Sequence, residues 1–260
     1  LFMFQQDNGV SAHSQMRVQT FGGGTWLSEF SALTGLNSDD FGAQKSGVFY
    51  FIVDHLKNSL FKEMKANGYY TVVLTPFNKG AYHSGHAYET LGVDRIIQPQ
   101  ELGYPGKLQD NLWTISTDDM LKYVKEILAQ ETDKPVFIFS LTMYEHGPYK
   151  ESHSDDYGIK DKIKNPDAAG EFSHYMDKIV TSDASIRNFA DFIEKRERPL
   201  MFLYFGDHQP GISLNKYNSS FSSPAYLTQF TLRDNLKSGA AIKTGQLTDI
   251  SFLGGILLER

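Results

Sequence analysis

Pro199-Leu-Met-Phe-Leu-Tyr-Phe-Gly206 runs directly into Asp207-His208-Gln209-Pro210. The first stretch is a continuous apolar run of strand length, which is typical of a strand covered on both faces. In open α/β sheets, ligand-binding groups gather at the carboxyl ends of the strands. Asp207 and His208 follow such an end after a glycine, and carboxylate plus imidazole suits Zn²⁺ or Mn²⁺. Taken alone, the pair also fits a turn capped by Asp207 with His208 at the surface.

Other apolar runs and helical patterns extend this framework in both directions along the chain. Strands are predicted over 69–74, 135–143, 199–205 and 226–232, and helices over 52–66, 118–128, 172–193 and 247–258. Strands that alternate with helices indicate a layered α/β fold. A polar stretch over 147–170 predicts a long surface loop, of a kind that is often functional.

The composition excludes several classes of protein. The 260 residues contain no cysteine, which excludes a disulfide scaffold, a thiolate zinc site and a cysteine nucleophile. The formal net charge of −6 argues against broad nucleic-acid binding, which needs a basic face. With 40% hydrophobic residues, the chain is too apolar to be disordered, and its length suits one large α/β domain or two small ones.

A glycine-rich motif precedes a predicted helix near the start of the chain. Phe21-Gly-Gly-Gly-Thr25 leads into a helical pattern that stops at Gly35. Thr25 is therefore expected at the N-cap or in the first turn, where free N–H groups and the helix dipole favour a phosphate group. Glycines also permit close approach of the backbone to a ligand. An ordinary threonine cap is the competing interpretation.

Three histidines follow predicted strands and are candidates for the same rim. His146 comes after the strand over 135–143, where it is expected to contact an anionic substrate or act as an acid. His83 and His86 follow the strand over 69–74, and their spacing of three residues would also serve a metal. A polar residue in a Gly-Pro turn is the competing interpretation for His146, and ordinary surface histidines are the favoured interpretation for His83 and His86.

Together these segments resemble the sulfatase-like branch of the alkaline phosphatase superfamily, and they are most similar to extracellular domains of lipoteichoic acid synthases and of phosphoglycerol or phosphoethanolamine transferases. The segments that carry the resemblance are Gly24-Thr25, Ser28-Glu29-Phe30, Leu33-Thr34-Gly35, His146-Gly147-Pro148-Tyr149 and Phe205-Gly206-Asp207-His208-Gln209-Pro210. The resemblance implies a three-layer α/β/α sandwich around a mixed, mostly parallel sheet. It also implies one sulfatase-like catalytic domain over residues 1–260, truncated at its N-terminus and without the first strand.

The resemblance also implies roles for individual residues. Thr25 is implied to be the nucleophile and a metal ligand, Asp207 and His208 to be further ligands of one divalent ion (Mn, Zn or Mg), and His146 to bind substrate. Tyr82, with His83 beside it, falls near the substrate-binding segment of the lipoteichoic acid synthases, while Ser84 stands where those enzymes have an arginine. An upstream acidic metal ligand is expected to lie outside this chain.

The implied activity is transfer of a phosphoryl-alcohol group from a lipid-linked phosphodiester donor to a glycan or lipid acceptor through a phospho-threonine. The enzyme is expected on the extracytoplasmic side of a membrane, attached through a segment absent from this chain. True sulfatases carry a modifiable Cys or Ser where this chain has Thr25, which favours phosphoryl chemistry. Two alternatives stay open: a sulfatase-like phosphodiesterase or sulfuric ester hydrolase that uses water, and a catalytically silent domain that binds anions.

Overall fold

The chain divides into two compact units in the computed structural model, and each is described by itself. The described residues are 1–4, 10–130, 133–150, 157–158, 162–163, 165–212, 222–236, 242 and 244–259. One unit contains Leu1–Thr25, Glu145–Ile250 and Ile256–Arg260, and the other contains Trp26–Tyr144 and Ser251–Gly255. The expected single catalytic domain over 1–260 stays a prediction.

The first unit is built on a four-stranded mixed sheet. With the strands numbered in chain order along the whole protein, the members are β1 (Val10–Arg17), β5 (Met201–Phe205), β6 (Leu227–Asp234) and β7 (Leu247–Asp249). Their spatial order is β5-β6-β1-β7. Strand β6 runs antiparallel to both β1 and β5, and β7 runs parallel to β1. Helix α5 (Pro166–Lys195) packs against β6.

The second unit contains a wholly parallel sheet of three strands. These are β2 (Tyr70–Leu74), β3 (Arg95–Ile97) and β4 (Val136–Ser140), in the order β3-β2-β4. The remaining α-helices of the described chain are α1 (Thr25–Thr34), α2 (Leu60–Ala66), α3 (Ser84–Thr90), α4 (Thr117–Ala129) and α6 (Leu253–Glu259). Helix α2 packs against β2, and α4 packs against β4.

The predicted fold class and the four predicted strands are confirmed. Of the five strand pairings among the described residues, three are parallel, so the strand pairing taken over both sheets is mixed and mostly parallel. Predicted helices 118–128 and 172–193 correspond to α4 and α5. Helix α5 begins six residues before position 172, because Asn165 caps it with its side chain and Pro166 occupies the first turn.

Two predicted helices were wrong in extent. Within 52–66, only Leu60–Ala66 is α-helical, since Ser59 caps a new helix by accepting the N–H of Lys62; the residues before it form short π and 3₁₀ turns. Within 247–258, the first three residues instead add β7 to the edge of β1. Strand β1 itself was missed, and much of the predicted loop over 147–170 lies outside the described residues.

Candidate functional site

Asp207 and His208 lie next to each other immediately after β5. The backbone N–H of Gly206 still donates to the carbonyl of Gln229 on β6, so the strand ladder holds the chain up to this point. Nε2 of His208 lies 3.3 Å from Oδ2 of Asp207. The His208 side chain is 11% exposed and that of Asp207 is 32% exposed, so the pair is open to solvent mainly through the carboxylate.

One hydrogen bond fixes the tautomer of His208. Nδ1 lies 2.8 Å from the carbonyl oxygen of Gln209, and because a carbonyl can only accept, Nδ1 carries the proton. In the neutral ring, Nε2 is then an acceptor that faces the Asp207 carboxylate. Two acceptors that face each other at 3.3 Å need a cation between them, either a proton or a metal ion.

This donor set fits a divalent metal. Metal-binding histidines usually donate their other ring N–H to a carboxylate or a backbone carbonyl, as His208 does to Gln209. Tetrahedral zinc with bonds of roughly 2.0–2.2 Å separates two ligand atoms by about 3.4 Å, close to the distance seen here. The described residues contain no group of three or more His, Cys, Asp and Glu side chains able to hold an ion. Within them, the site therefore has two such ligands.

The glycine loop before Thr25 lies against the segment that carries His208. The N–H of Gly22 donates to the carbonyl of Gln209 at 3.1 Å, which is the same oxygen that accepts from His208. A Cβ at Gly22 would lie 2.9 Å from Cα of Gly211, and Gly22 has φ +67°. The loop therefore requires glycine both for its conformation and for the close backbone approach.

Thr25 is the first residue of α1, as the sequence predicted. The three preceding glycines all have positive φ, which turns the chain sharply into the helix. The helix then buries Leu27, Phe30 and Leu33 together with the residues between them, and it ends at Gly35 (φ +72°). Thr25 itself is half-buried. Its hydroxyl stands in the first turn, where N–H groups without helical partners favour an anion.

His146 lies in a loop that is fastened to α5. Nδ1 of His146 donates to the carbonyl of Gly147 at 2.7 Å, so any contact with substrate goes through Nε2. Nζ of Lys178 donates to the backbone carbonyl of His146 at 2.8 Å. The hydroxyl of Tyr149 donates to the carbonyl of Glu145 at 2.9 Å. These bonds fix the backbone on both sides of the imidazole.

The charges of Glu145 and Asp207 act on the same two tyrosines, Tyr175 and Tyr204. The loop that carries His146 and the strand end that carries Asp207 therefore both lie near these tyrosines. Burial first, and then Glu145 and Asp207, raise the pKa of Tyr175 to about 12. Burial and the same two carboxylates raise the pKa of Tyr204 well above its ordinary value. Burial lowers the pKa of Lys178, and the charge of Glu145 opposes that effect. Glu145 and Lys178 were not predicted as site residues, although Glu145 is next to His146 in sequence.

Tyr82 and His83 lie in the second unit, in a strained turn. They are the two non-glycine residues with positive φ among the described positions, at +38° and +64°. Such conformations cost of order 1–3 kcal/mol each and persist only where the surroundings enforce them, often at functional sites. The Tyr82 ring stacks with Trp26 and Phe49, at centroid distances of 5.9 and 6.2 Å. The ring is therefore held by packing.

A buried carboxylate that sequence reasoning did not select holds the same turn. Glu29 on α1 is 2% exposed. Its Oε1 accepts from the Tyr82 hydroxyl at 3.1 Å, and its Oε2 accepts from the Tyr88 hydroxyl at 2.6 Å. Burial first, and then the charge of Glu29, raise the pKa of Tyr88 well above its ordinary value, so Tyr88 stays a donor.

The imidazole of His83 is oriented by its neighbours. Its ring stacks on Tyr50 at 4.9 Å with the planes only 12° apart, and it lies 4.6 Å from the ring of His86. His86 in turn contacts Oδ1 of Asp54 through Nε2 at 2.7 Å. Asp54 therefore engages His86, and the surface role that the sequence favours for His83 and His86 over a metal role stays a prediction.

The six predicted site residues thus fall into two groups. Thr25, His146, Asp207 and His208 belong to the first unit, where the Gln209 carbonyl links the loop before Thr25 to His208, and the charges of Glu145 and Asp207 act on Tyr175. Tyr82 and His83 belong to the second unit. All six residues lie within the described part of the chain. The catalytic, metal-ligand and substrate-binding roles assigned to them from the sequence stay predictions.

Comparison with known proteins gives matches along nearly the whole chain. The family model described as Sulfatase matches residues 6–239. A Haemophilus influenzae protein described as uncharacterized is 38% identical over the whole chain, which spans 48% of that relative. The chain therefore covers about half the length of this curated relative. None of the helices within the described ranges is both long enough and apolar enough to cross a membrane.

Two solved structures share the fold. The Streptococcus pyogenes phosphoglycerol transferase GacH in complex with sn-glycerol-1-phosphate has a TM-score of 0.75 and 19% identity, over 97% of this chain and 65% of that one. The zinc complex of the C-terminal periplasmic domain of EptC from Escherichia coli has a TM-score of 0.60 and 16% identity, over 93% and 69%. At these identities the likeness shows the alkaline phosphatase-like fold.

Proposed function

Because this chain belongs to the Sulfatase family, we propose that it is the catalytic part of a phosphoryl-alcohol transferase. The transferred group is of the phosphoglycerol or phosphoethanolamine type, the donor is a lipid-linked phosphodiester and the acceptor is a glycan or a lipid. The observation that carries the proposal is the shared Gln209 carbonyl, which ties the glycine loop before Thr25 to the His208 side chain beside Asp207. A nucleophile and a metal-type pair are thereby built into one backbone arrangement.

In this proposal Asp207, His208 and Thr25 hold one divalent ion, with Mn, Zn and Mg as the candidates. The GacH structure contains glycerol phosphate and the EptC structure contains zinc, which supports this choice of substrate and cofactor class. When bound, the ion would lower the pKa of the threonine hydroxyl and neutralise charge on the phosphoryl oxygens. The Gln209 carbonyl keeps the proton on Nδ1 of His208, so that Nε2 is the ligand atom.

Thr25 Oγ attacks the donor phosphorus and gives up its proton, a new P–O bond forms to Thr25, and the bond to the lipid oxygen breaks. The lipid leaves as an alcohol after it takes up a proton. An acceptor hydroxyl then attacks the phospho-threonine, loses its proton and releases the Thr25 hydroxyl. The N–H groups at the start of α1 stabilise negative charge on the transferred group in both steps.

His146 binds the group in transfer. Since Nδ1 donates to Gly147, Nε2 is the atom that meets substrate. A protonated ring donates from Nε2 to a phosphoryl oxygen, and a neutral ring accepts the proton of the acceptor hydroxyl. Tyr82 and His83 contribute to recognition of the alcohol portion. We place the enzyme on the extracytoplasmic side, attached to the membrane through a segment outside this chain; the similar EptC structure is of a periplasmic domain.

The deciding experiment uses the full-length protein with Thr25→Ala. Intact-mass analysis after incubation with a phosphatidylglycerol donor should show a covalent adduct on the wild type and none on the variant. Thr34→Ala, at the other end of the same helix, is the matched control, because its hydroxyl donates only locally to the Phe30 carbonyl. Turnover by Thr25→Ala would refute the nucleophile.

Product analysis separates the remaining activities. Transfer requires a phosphorylated glycan or lipid product that depends on added acceptor. Release of the free phosphoryl-alcohol at the same rate with and without acceptor would show a hydrolase instead. If neither a phosphoglycerol-type nor a phosphoethanolamine-type donor gives an adduct or a product, a domain that only binds anions would be favoured.

A further inference from the structure

We propose that Glu29 is a positioning residue of the transfer reaction: its buried carboxylate fixes the strained Tyr82–His83 turn relative to the helix that begins at Thr25. The inference rests on the proposed function, since it assigns Glu29 to the nucleophile and substrate-binding residues named there. It does not place Glu29 in contact with the reacting atoms.

The position of Glu29 on α1 sets the direction of its side chain. Glu29 is four residues after Thr25, so both lie on one face of the helix, one turn apart. Side chains on a helix lean toward its N-terminus, which directs the Glu29 carboxylate toward the end where Thr25 lies. Trp26, the residue next to Thr25, stacks with Tyr82. The turn is thus joined to the start of α1 by a hydrogen bond and by a ring contact.

Tyr82 and Tyr88 both donate to the Glu29 carboxylate, and of these two Tyr82 belongs to the turn. Tyr88 donates to Oε2 from helix α3 and is fully buried. Tyr82 donates to Oε1 from within the turn. The Tyr82 bond therefore connects the carboxylate of α1 directly to the strained backbone, whereas the Tyr88 bond connects the same carboxylate to α3. Charged acceptors make stronger hydrogen bonds than neutral ones, which suits a contact that must hold a strained conformation.

When the turn is fixed, the backbone conformation and the ring orientation of His83 are fixed with it. His83 follows Tyr82 directly, shares its left-handed backbone conformation and stacks against Tyr50. If the Tyr82 bond is lost, the backbone can relax toward ordinary dihedral angles. Such a relaxation would turn the His83 imidazole away from its stacked position. Substrate binding would then weaken without removal of any group that performs chemistry.

The test compares Tyr82→Phe with Tyr88→Phe in the full-length protein. Each variant removes one hydroxyl from the same carboxylate and leaves the ring in place, but only the first releases the turn. The measurements are KM and kcat for a phosphatidylglycerol donor, together with the melting temperature. We expect Tyr82→Phe to raise KM about tenfold, the effect of losing a hydrogen bond to a charged group, with kcat within about twofold. Tyr88→Phe should lower the melting temperature but keep KM within about twofold.

Glu29→Gln provides the second arm, since the amide offers one acceptor where the carboxylate offers two. We expect its KM to rise at least as far as that of Tyr82→Phe. Equal KM values for the two tyrosine variants and the wild type would overturn the proposal, because the contacts would then serve stability alone. If Glu29→Gln does not fold, the comparison of Tyr82→Phe with Tyr88→Phe still tests the proposal. Turnover by Thr25→Ala would instead refute the proposed function, so the two failures are distinguishable.

Discussion

Gly22 and His208 share one hydrogen-bond acceptor, the carbonyl oxygen of Gln209, at 3.1 and 2.8 Å. The glycine belongs to the loop that precedes the predicted nucleophile, and the histidine is a predicted metal ligand. One backbone oxygen thus sets both the entry into α1 and the tautomer of the imidazole. The side chain of Gln209 fixes that oxygen in turn, because its amide donates to the carbonyls of Pro224 and Leu227.

This relationship predicts that Gly22→Ala is inactive or nearly so. A side chain at φ +67° costs roughly 1–2 kcal/mol, and the new Cβ would meet the Gly211 backbone at 2.9 Å. The loop must shift, which moves Thr25 relative to Asp207 and His208. The measurement is the rate of adduct formation on Thr25 together with the melting temperature.

Gly255→Ala is the matched control for that prediction. Its Cβ would meet no atom within 4 Å, and its φ lies outside the left-handed range. We expect normal activity and unchanged or slightly higher stability, since alanine favours a helix interior. Adduct formation by Gly22→Ala at the wild-type rate would contradict the role assigned to the loop.

A second prediction concerns metal content. Asp207→Asn and His208→Ala should each lower the divalent metal bound per protein after dialysis by at least about tenfold, since loss of one ligand weakens a site strongly. Elemental analysis of the full-length protein is the measurement. His55→Ala, at an exposed position in the second unit, is the control and should retain the metal. Equal metal in all four proteins would place the ion elsewhere.

A third prediction follows from the raised pKa of Tyr175, which is about 12 in the folded protein. The folded state then holds the phenol proton more tightly than the unfolded state, whose pKa is about 10. The stabilisation is fully present below pH 10 and disappears as the pH rises toward 12. It amounts to at most about 2 kcal/mol, because Tyr175 is only half-buried. Denaturant unfolding at pH 9 to 11.5 should show the decline.

Tyr175→Phe tests the origin of that decline. The variant removes the titrating hydroxyl, so its free energy of unfolding should fall less steeply over the same pH range. An unchanged slope would assign the effect to Tyr204 or Tyr88, whose pKa values are also raised by burial.

Much of the metal-type pair and the nucleophile helix was predictable from local sequence. An apolar run that ends in Gly206 identifies β5 and places Asp207 and His208 after it. The glycines before Thr25 and the glycine at position 35 mark both ends of α1, which the structure confirms. These signals are local because strand ends, caps and positive φ are decided by a few neighbouring residues.

The residues that were missed depend on contacts between distant positions. A glutamate in a predicted helix gives no sign of burial in the sequence, and the partners of Glu29 lie 53 and 59 residues away. The Gln209 carbonyl is a backbone group, for which residue type carries no information. Strand β1 is rich in polar residues, and it is a strand because β6 pairs along its whole length. Tertiary pairing overrides local preference at such positions.

Trp26, which stacks with Tyr82 and is bonded to Thr25, offers an intrinsic fluorescence signal for the reaction. The chain has two tryptophans, and the other, Trp113, is 49% exposed and packs against Phe77. In a Trp113→Phe background, all indole emission would come from the residue bonded to Thr25. Attachment of a negatively charged phosphodiester to the neighbouring Thr25 should then alter that emission, so that stopped-flow fluorescence would follow formation of the phospho-threonine without a label.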